Sequence, residues 1–208
     1  GTEPTGGTPS HAVLLILVCA VMLSGCSLLK TATSVPDPGS GSPGLGDSYT
    51  VVREWDFSET PLPFREDAES VVVVIDGKER YAARVTSKGD RNDLALFPPE
   101  GDRPVVTEGM ALLVEYHVEA DAPVSYTMVY VYTADGRIGQ ERDQGTPLGE
   151  WVRAVYPLEE LRVAPHAGNQ VPIAPGNEIT RLQIFVSHGG DDIESTLTLA
   201  RLALVVPQ

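Results

Sequence analysis

The sequence predicts an all-β protein, an antiparallel sandwich or barrel, on three observations. Short apolar runs recur with a period of two residues, turn residues separate them, and no stretch keeps a helical period long enough for a βαβ unit. The runs fall at residues 49–57, 70–75, 81–87, 94–97, 110–119, 125–133, 151–157, 179–187 and 196–206. Valine, tyrosine, isoleucine and threonine are frequent in them, residue types that suit a pleated, half-buried surface. Asp76-Gly77 and Asp135-Gly136 are turn signals of the kind that closes hairpins. Residues 158–163 allow one or two helical turns, and no internal repeat is visible.

Composition sets the class. Of the 208 residues, 42% are hydrophobic and 21% charged, which suits a globular chain. From about Asp47 onward roughly 160 residues remain, enough for one domain to bury most of its apolar surface without a disulfide or metal. The net charge of −14 and the lack of any basic run exclude nucleic acid as a partner, because phosphate binding needs clustered cations. Cys19 and Cys26 both precede the predicted strands. The folded part is therefore expected to lack disulfides and thiolate metal sites.

Residues 12–23 form an uncharged apolar run, too short to span a bilayer and the right length for the core of an export signal. Leu23-Ser24-Gly25-Cys26 follows directly and resembles the lipobox of bacterial lipoproteins. That resemblance implies cleavage before Cys26 and a diacylglycerol on its thiol, a firm anchor because each buried methylene adds about 0.8 kcal/mol. Residues 1–11 lack the Lys or Arg that usually opens such a signal. Ser27 resembles the sorting residue for the outer membrane of a diderm cell. Residues 31–47, rich in Pro, Gly, Ser and Thr, read as a flexible tether. The expected organisation is a signal peptide over 1–25, a lipidated cysteine and linker over 26–47, and a β-sandwich over 48–208.

Alternation assigns the strand faces. Met110, Leu112, Val114, Tyr116 and Val118 turn inward, leaving Leu113, Glu115 and His117 on the opposite face. Leu182, Ile184 and Val186 turn inward, leaving Arg181, Gln183 and Phe185 outside. Val129 and Val131 suit the core, so Tyr126, Tyr130 and Tyr132 share the other face. If these strands are neighbours, one surface gathers Tyr126, Tyr130, Tyr132, Glu115, His117, Arg181, Gln183 and Phe185. Flat rings to stack on sugars, with planar polar groups to bond hydroxyls, are what a glycan site requires.

Several segments resemble jelly-roll carbohydrate-binding modules of the galactose-binding-like superfamily. Gly149-Glu150-Trp151 with Tyr156-Pro157-Leu158 and Leu161 is similar to their Gly-x-Trp and Ile-Pro-Leu stretch. Ile179-Thr180-Arg181-Leu182-Gln183-Ile184 resembles their penultimate strand, residues 197–205 their closing strand, and Trp55-Asp56-Phe57 their opening one. The resemblance implies a jelly-roll sandwich that binds carbohydrate. In many such modules an acidic residue that ligates structural calcium stands where this chain has Ala200, which counts against that ion here. Asp56, Glu54 and the Asp191-Asp192 pair remain as oxygen donors, without spacing that demands calcium. No cofactor is expected.

Catalytic patterns are weak. Gly46-Asp47-Ser48-Tyr49 mimics the nucleophile block of Gly-Asp-Ser esterases, but a linker precedes it and no His follows an Asp at the required spacing. Gly-x-Ser-x-Gly, His-Glu-x-x-His and Walker motifs are absent. His117, His166 and His188 are scattered, and Glu159-Glu160 reads as a solvated pair. The sequence thus points to a non-catalytic, lipid-anchored protein of the cell envelope that binds glycan. The alternative is a structural subunit or scaffold bound to an envelope protein partner.

Overall fold

Period-two alternation becomes two antiparallel sheets packed face to face. A computed structural model of the chain describes residues 49–208 apart from Glu66. These belong to a unit that runs Ser42–Gln208. The expected signal peptide, Cys26 and all but the end of the tether lie outside that unit, and residues 1–48 lie outside the described residues.

The strands are β1 (Tyr49–Glu54), β2 (Glu69–Ile75), β3 (Lys78–Gly89), β4 (Arg91–Leu96), β5 (Ala111–Ala120), β6 (Tyr126–Thr133), β7 (Ile138–Gln144), β8 (Trp151–Pro157), β9 (Arg162–Val163), β10 (Ile179–Ser187) and β11 (Ile193–Pro207). The first sheet runs β2-β3-β11-β5-β8, with β1 also beside β11; the second runs β4-β10-β6-β7-β9. This is the antiparallel sandwich expected, its strands ordered differently in space than in sequence. In β11 the register to β5 shifts between Leu199 and Arg201, so Ala200 is the extra residue of a bulge. On its other edge β11 pairs with β3 up to Leu199 and with β1 from Ala203 onward.

The core lies between the sheets. Leu112, Val114, Tyr116 and Val118 of β5 and Leu197, Leu199, Leu202 and Leu204 of β11 meet Leu94, Leu96, Val129, Val131, Leu182, Ile184 and Val186 of the second sheet. Burying one such aliphatic side chain is worth about 1.5–3 kcal/mol. Two polar bridges also tie the sheets. Asn92 of β4 donates from Nδ2 to the Val85 carbonyl at 3.1 Å and to the Ser195 carbonyl at 2.8 Å. The Tyr156 hydroxyl of β8 donates to the Asp143 carboxylate of β7. A buried amide without such acceptors would cost about 1–3 kcal/mol, so these contacts set how the sheets face each other.

The Asp76-Gly77 hairpin forms as expected: its φ values are 52° and 73°, the pair of positive angles that a two-residue turn needs. Two strands, β9 and β7, were not among those expected. Residues 158–163 make a single 3₁₀ turn, Leu158–Glu160, and then the short β9. Strand β7 is absent from the expected set because after Ile138 it reads Gly-Gln-Glu-Arg-Asp-Gln, with no apolar alternation to reveal it. It forms because its backbone groups pair along β6.

His188 is buried behind the end of β10, its Nε2 2.9 Å from the Ser195 hydroxyl. Burial pushes its pKa below the ordinary imidazole value, against the pull of Asp90 and Asp191. The unfolded chain therefore binds a proton here at a pH where the folded chain does not, so acidification through about 6.5 must weaken folding. Melting curves of wild type and His188→Gln between pH 8 and 5 should show wild type losing stability relative to the variant toward acid. A gap independent of pH would show that His188 titrates alike in both states.

Candidate functional site

Because Val129, Val131, Leu182, Ile184 and Val186 fill the core, the alternate residues of β6 and β10 point out of the second sheet. Strand pairing arranges that outer face in rows. Arg91, Ser187, Tyr126 and Gln144 form one row, and Asp93, Phe185, Met128 and Arg142 the next. Ala95, Gln183, Tyr130, Gln140 and Arg162 form a third, and Arg181, Tyr132 and Ile138 a fourth. An open groove of about 380 Å³ lies over the β6–β7 side of these rows, with Tyr126, Tyr130, Arg142, Arg162 and His166 on its walls.

The rings support one another. Phe185 stacks on Tyr130 with centroids 5.7 Å apart and planes 19° apart, and meets Tyr126 edge-on at 6.1 Å. Tyr132 lies 5.8 Å from Tyr130, and His166 stands edge-on to Tyr130 at 5.4 Å. The Arg142 guanidinium sits 3.8 Å above the Tyr126 ring, and Arg181 sits 4.6 Å from Tyr132 and 5.3 Å from Phe97. Such contacts hold planar groups in fixed orientations without closing the face to solvent. Arg181 Nη2 donates to Gln183 Oε1 at 2.5 Å, and Gln183 Nε2 donates to Asp93 at 2.6 Å. Burial raises the Tyr130 and Tyr132 pKa values, so both hydroxyls stay protonated and able to donate as well as accept.

Six of the residues expected at one surface are thus brought together: Tyr126, Tyr130, Tyr132, Arg181, Gln183 and Phe185. Two of these lie beneath that surface. Gln183 is 5% exposed and Phe185 7%, so they brace the outer side chains. Glu115 and His117 do not join them. Alternation places both on an outer face as expected, but β5 pairs with β11 and β8, so their face is that of the first sheet, across the sandwich. There Glu115 is buried, accepts from Arg80 at 2.7 Å and forms an ion pair with Arg153 at 3.1 Å, while His117 packs on Trp151 at 5.2 Å. The residues that sequence reasoning missed are Gln140, Arg142, Arg162 and His166. The Asp135-Gly136 turn signalled a strand after β6, and counting on from that turn would have placed Gln140 and Arg142 beside the tyrosines.

Other features lead less far. A broader cavity of about 580 Å³ borders Trp55, Phe57, Arg80 and Ala200 at the β11 bulge. Among the described residues no three His, Cys, Asp or Glu side chains converge as metal ligands would. The pair His188 and Ser195 is 2% exposed at each residue, which leaves no room for a substrate on the hydroxyl.

The two faces of β6 and β10 should respond differently to truncation. Leu182→Ala should cost about 2–5 kcal/mol of stability, because it opens a cavity between the sheets. Tyr130→Ala, which removes outer-face ring contacts and part of the packing on Ile138, Ala164 and Ala167 but opens no cavity between the sheets, should cost less, about 1–2 kcal/mol. Chemical denaturation of the two variants measures this directly, and a reversed order would mean the faces are inverted.

No protein-family model matches the chain, and no curated protein matches it. Solved structures do. The family 11 carbohydrate-binding module from Clostridium thermocellum, in complex with a β-1,3-1,4-mixed-linked tetrasaccharide, is similar with a TM-score of 0.52 at 10% identity, over 76% of this chain and 96% of the module. An exo-β-agarase is similar with a TM-score of 0.51 at 14% identity, over 74% of this chain. The chain spans only 24% of that enzyme's length. At these identities the likeness is one of fold: the described residues form a β-sandwich of the kind used by carbohydrate-binding modules.

Proposed function

We propose that this protein is a non-catalytic, membrane-anchored surface protein whose second sheet binds a polysaccharide. The observation that supports it best is the line of outward rings on one strand, Tyr126, Tyr130 and Tyr132, each steadied by a neighbouring ring or guanidinium. Sugar rings have apolar C–H faces that stack on such platforms, and hydroxyl rims that bond to planar amide and guanidinium groups. The similar module is solved with an oligosaccharide, which favours the same use of the fold here.

The anchor is the lipid on Cys26, and the Pro/Gly/Ser segment holds the sandwich away from the membrane. In a diderm cell Ser27 directs it to the outer membrane.

Two experiments test the reading. On a glycan array the full chain should bind polysaccharide, and Tyr130→Ala should weaken binding by about 0.5–1.5 kcal/mol beyond its lost contact area. Silence across plant, host and bacterial glycans would sink the proposal. In bacterial cells fed a labelled fatty acid, wild type should carry the label and sediment with membranes, and Cys26→Ser should do neither. Unlabelled wild-type protein in the soluble fraction would refute the anchor.

A further inference from the structure

Resting on the glycan-binding reading above, we infer that the polysaccharide is acidic, one whose sugars bear carboxylate or sulfate groups. The chain holds 15 Lys and Arg against 29 Asp and Glu. The outer face of the second sheet departs from that balance. It sets Arg91 and Arg181 on one side of the β6 rings and Arg142 and Arg162 on the other, with Asp93 and Glu141 as the nearby carboxylates.

Glu141 is ion-paired, while Asp93 keeps its charge, which leaves four guanidinium groups against two carboxylates on this face. Asp93 accepts the Gln183 amide at 2.6 Å, and Glu141 lies 3.5 Å from Arg162. Arg91 and Arg142 are exposed, and neither forms an ion pair among the described residues. On the first sheet most arginines are paired: Arg53 with Asp102, Arg80 and Arg153 with Glu115, and Arg201 with Glu54, while Arg84 donates to the Thr198 hydroxyl instead. The groove therefore keeps open guanidinium charge in a chain with acid to spare.

Their geometry suits an anion on a sugar. Arg142 is held over the Tyr126 ring at 3.8 Å, and Arg181 over Tyr132 at 4.6 Å. Stacking fixes the plane of a guanidinium while its N–H edge stays able to form a two-pronged bond to a carboxylate or sulfate. Arg181 gives Nη2 to Gln183, whereas Arg142 is exposed and forms no ion pair among the described residues, so Arg142 is the freer of the two donors. A pyranose lying on the tyrosine line would project its substituents sideways, toward the arginines that flank the line. The overall charge of −14 does not cancel this attraction, since screening confines electrostatics to about 8 Å at physiological salt.

Affinity electrophoresis and titration calorimetry of the full chain test the inference with five probes. These are polygalacturonate, a sulfated galactan, mixed-linkage β-glucan, agarose and single-stranded DNA. One or both acidic glycans should bind at least about tenfold tighter than the neutral ones, with affinity falling as salt rises. The polyuronate and sulfated arms report which anion is preferred. Arg142→Gln and Arg91→Gln should each lower acidic-glycan affinity by about tenfold with unchanged melting temperature. Neutral glycans bound tighter, without salt dependence, would overturn the acidic inference and leave glycan binding standing. DNA bound as tightly as the acidic glycans would overturn it as general polyanion attraction. Binding to no glycan would overturn the underlying reading as well.

Discussion

The constraint on which the rest depends is the burial of Leu182, Ile184 and Val186 on β10 opposite Val129 and Val131 on β6. These side chains form one wall of the main apolar layer between the two sheets of the described residues. With that wall committed, the pleat leaves no choice about the residues between: Arg181, Gln183 and Phe185 on one strand, Tyr126, Tyr130 and Tyr132 on the other, all face out. A slip of one residue in either strand would put guanidinium and phenol groups into the core. Core packing and groove chemistry are therefore two sides of one register.

The outer faces of the two sheets use similar residue types for different ends. On the first sheet, charge is neutralised internally, with Glu115 buried between Arg80 and Arg153. A buried carboxylate left without those partners would be strongly unfavourable, so this cluster fixes side chains across β3, β5 and β8. On the second sheet Arg142 and Arg181 sit over tyrosine rings instead, Arg181 also giving one donor to Gln183. Cation–π contact steadies a guanidinium while leaving its donors unspent. The first arrangement is closed to a ligand; the second keeps hydrogen-bonding capacity at the surface.

Most strands were legible because each turns an apolar set to the core, and alternation with more polar residues reports that directly, even in β5 and β10, which are buried on both faces. The boundaries over 151–157 and 179–187 agree with β8 and β10 as formed. Strand β7 was illegible because both of its faces are polar beyond Ile138 and Gly139. With it went Gln140 and Arg142, and so half of the groove. His166 was out of reach for another reason: it comes from a loop after β9, and only the folded chain brings its ring to Tyr130.

By itself the sequence determined the all-β class, the inward and outward sets on each strand, and the ring-bearing face of β6 and β10. Those follow from period two, a local property of the backbone. It did not determine which strands are neighbours. Glu115 and His117 have the right alternation to join the tyrosines, yet β5 belongs to the other sheet and carries them to the far side. Only the tertiary structure decided that, because strand adjacency is set by hydrogen bonds between residues far apart in the chain. The local pattern of each strand is compatible with several partners.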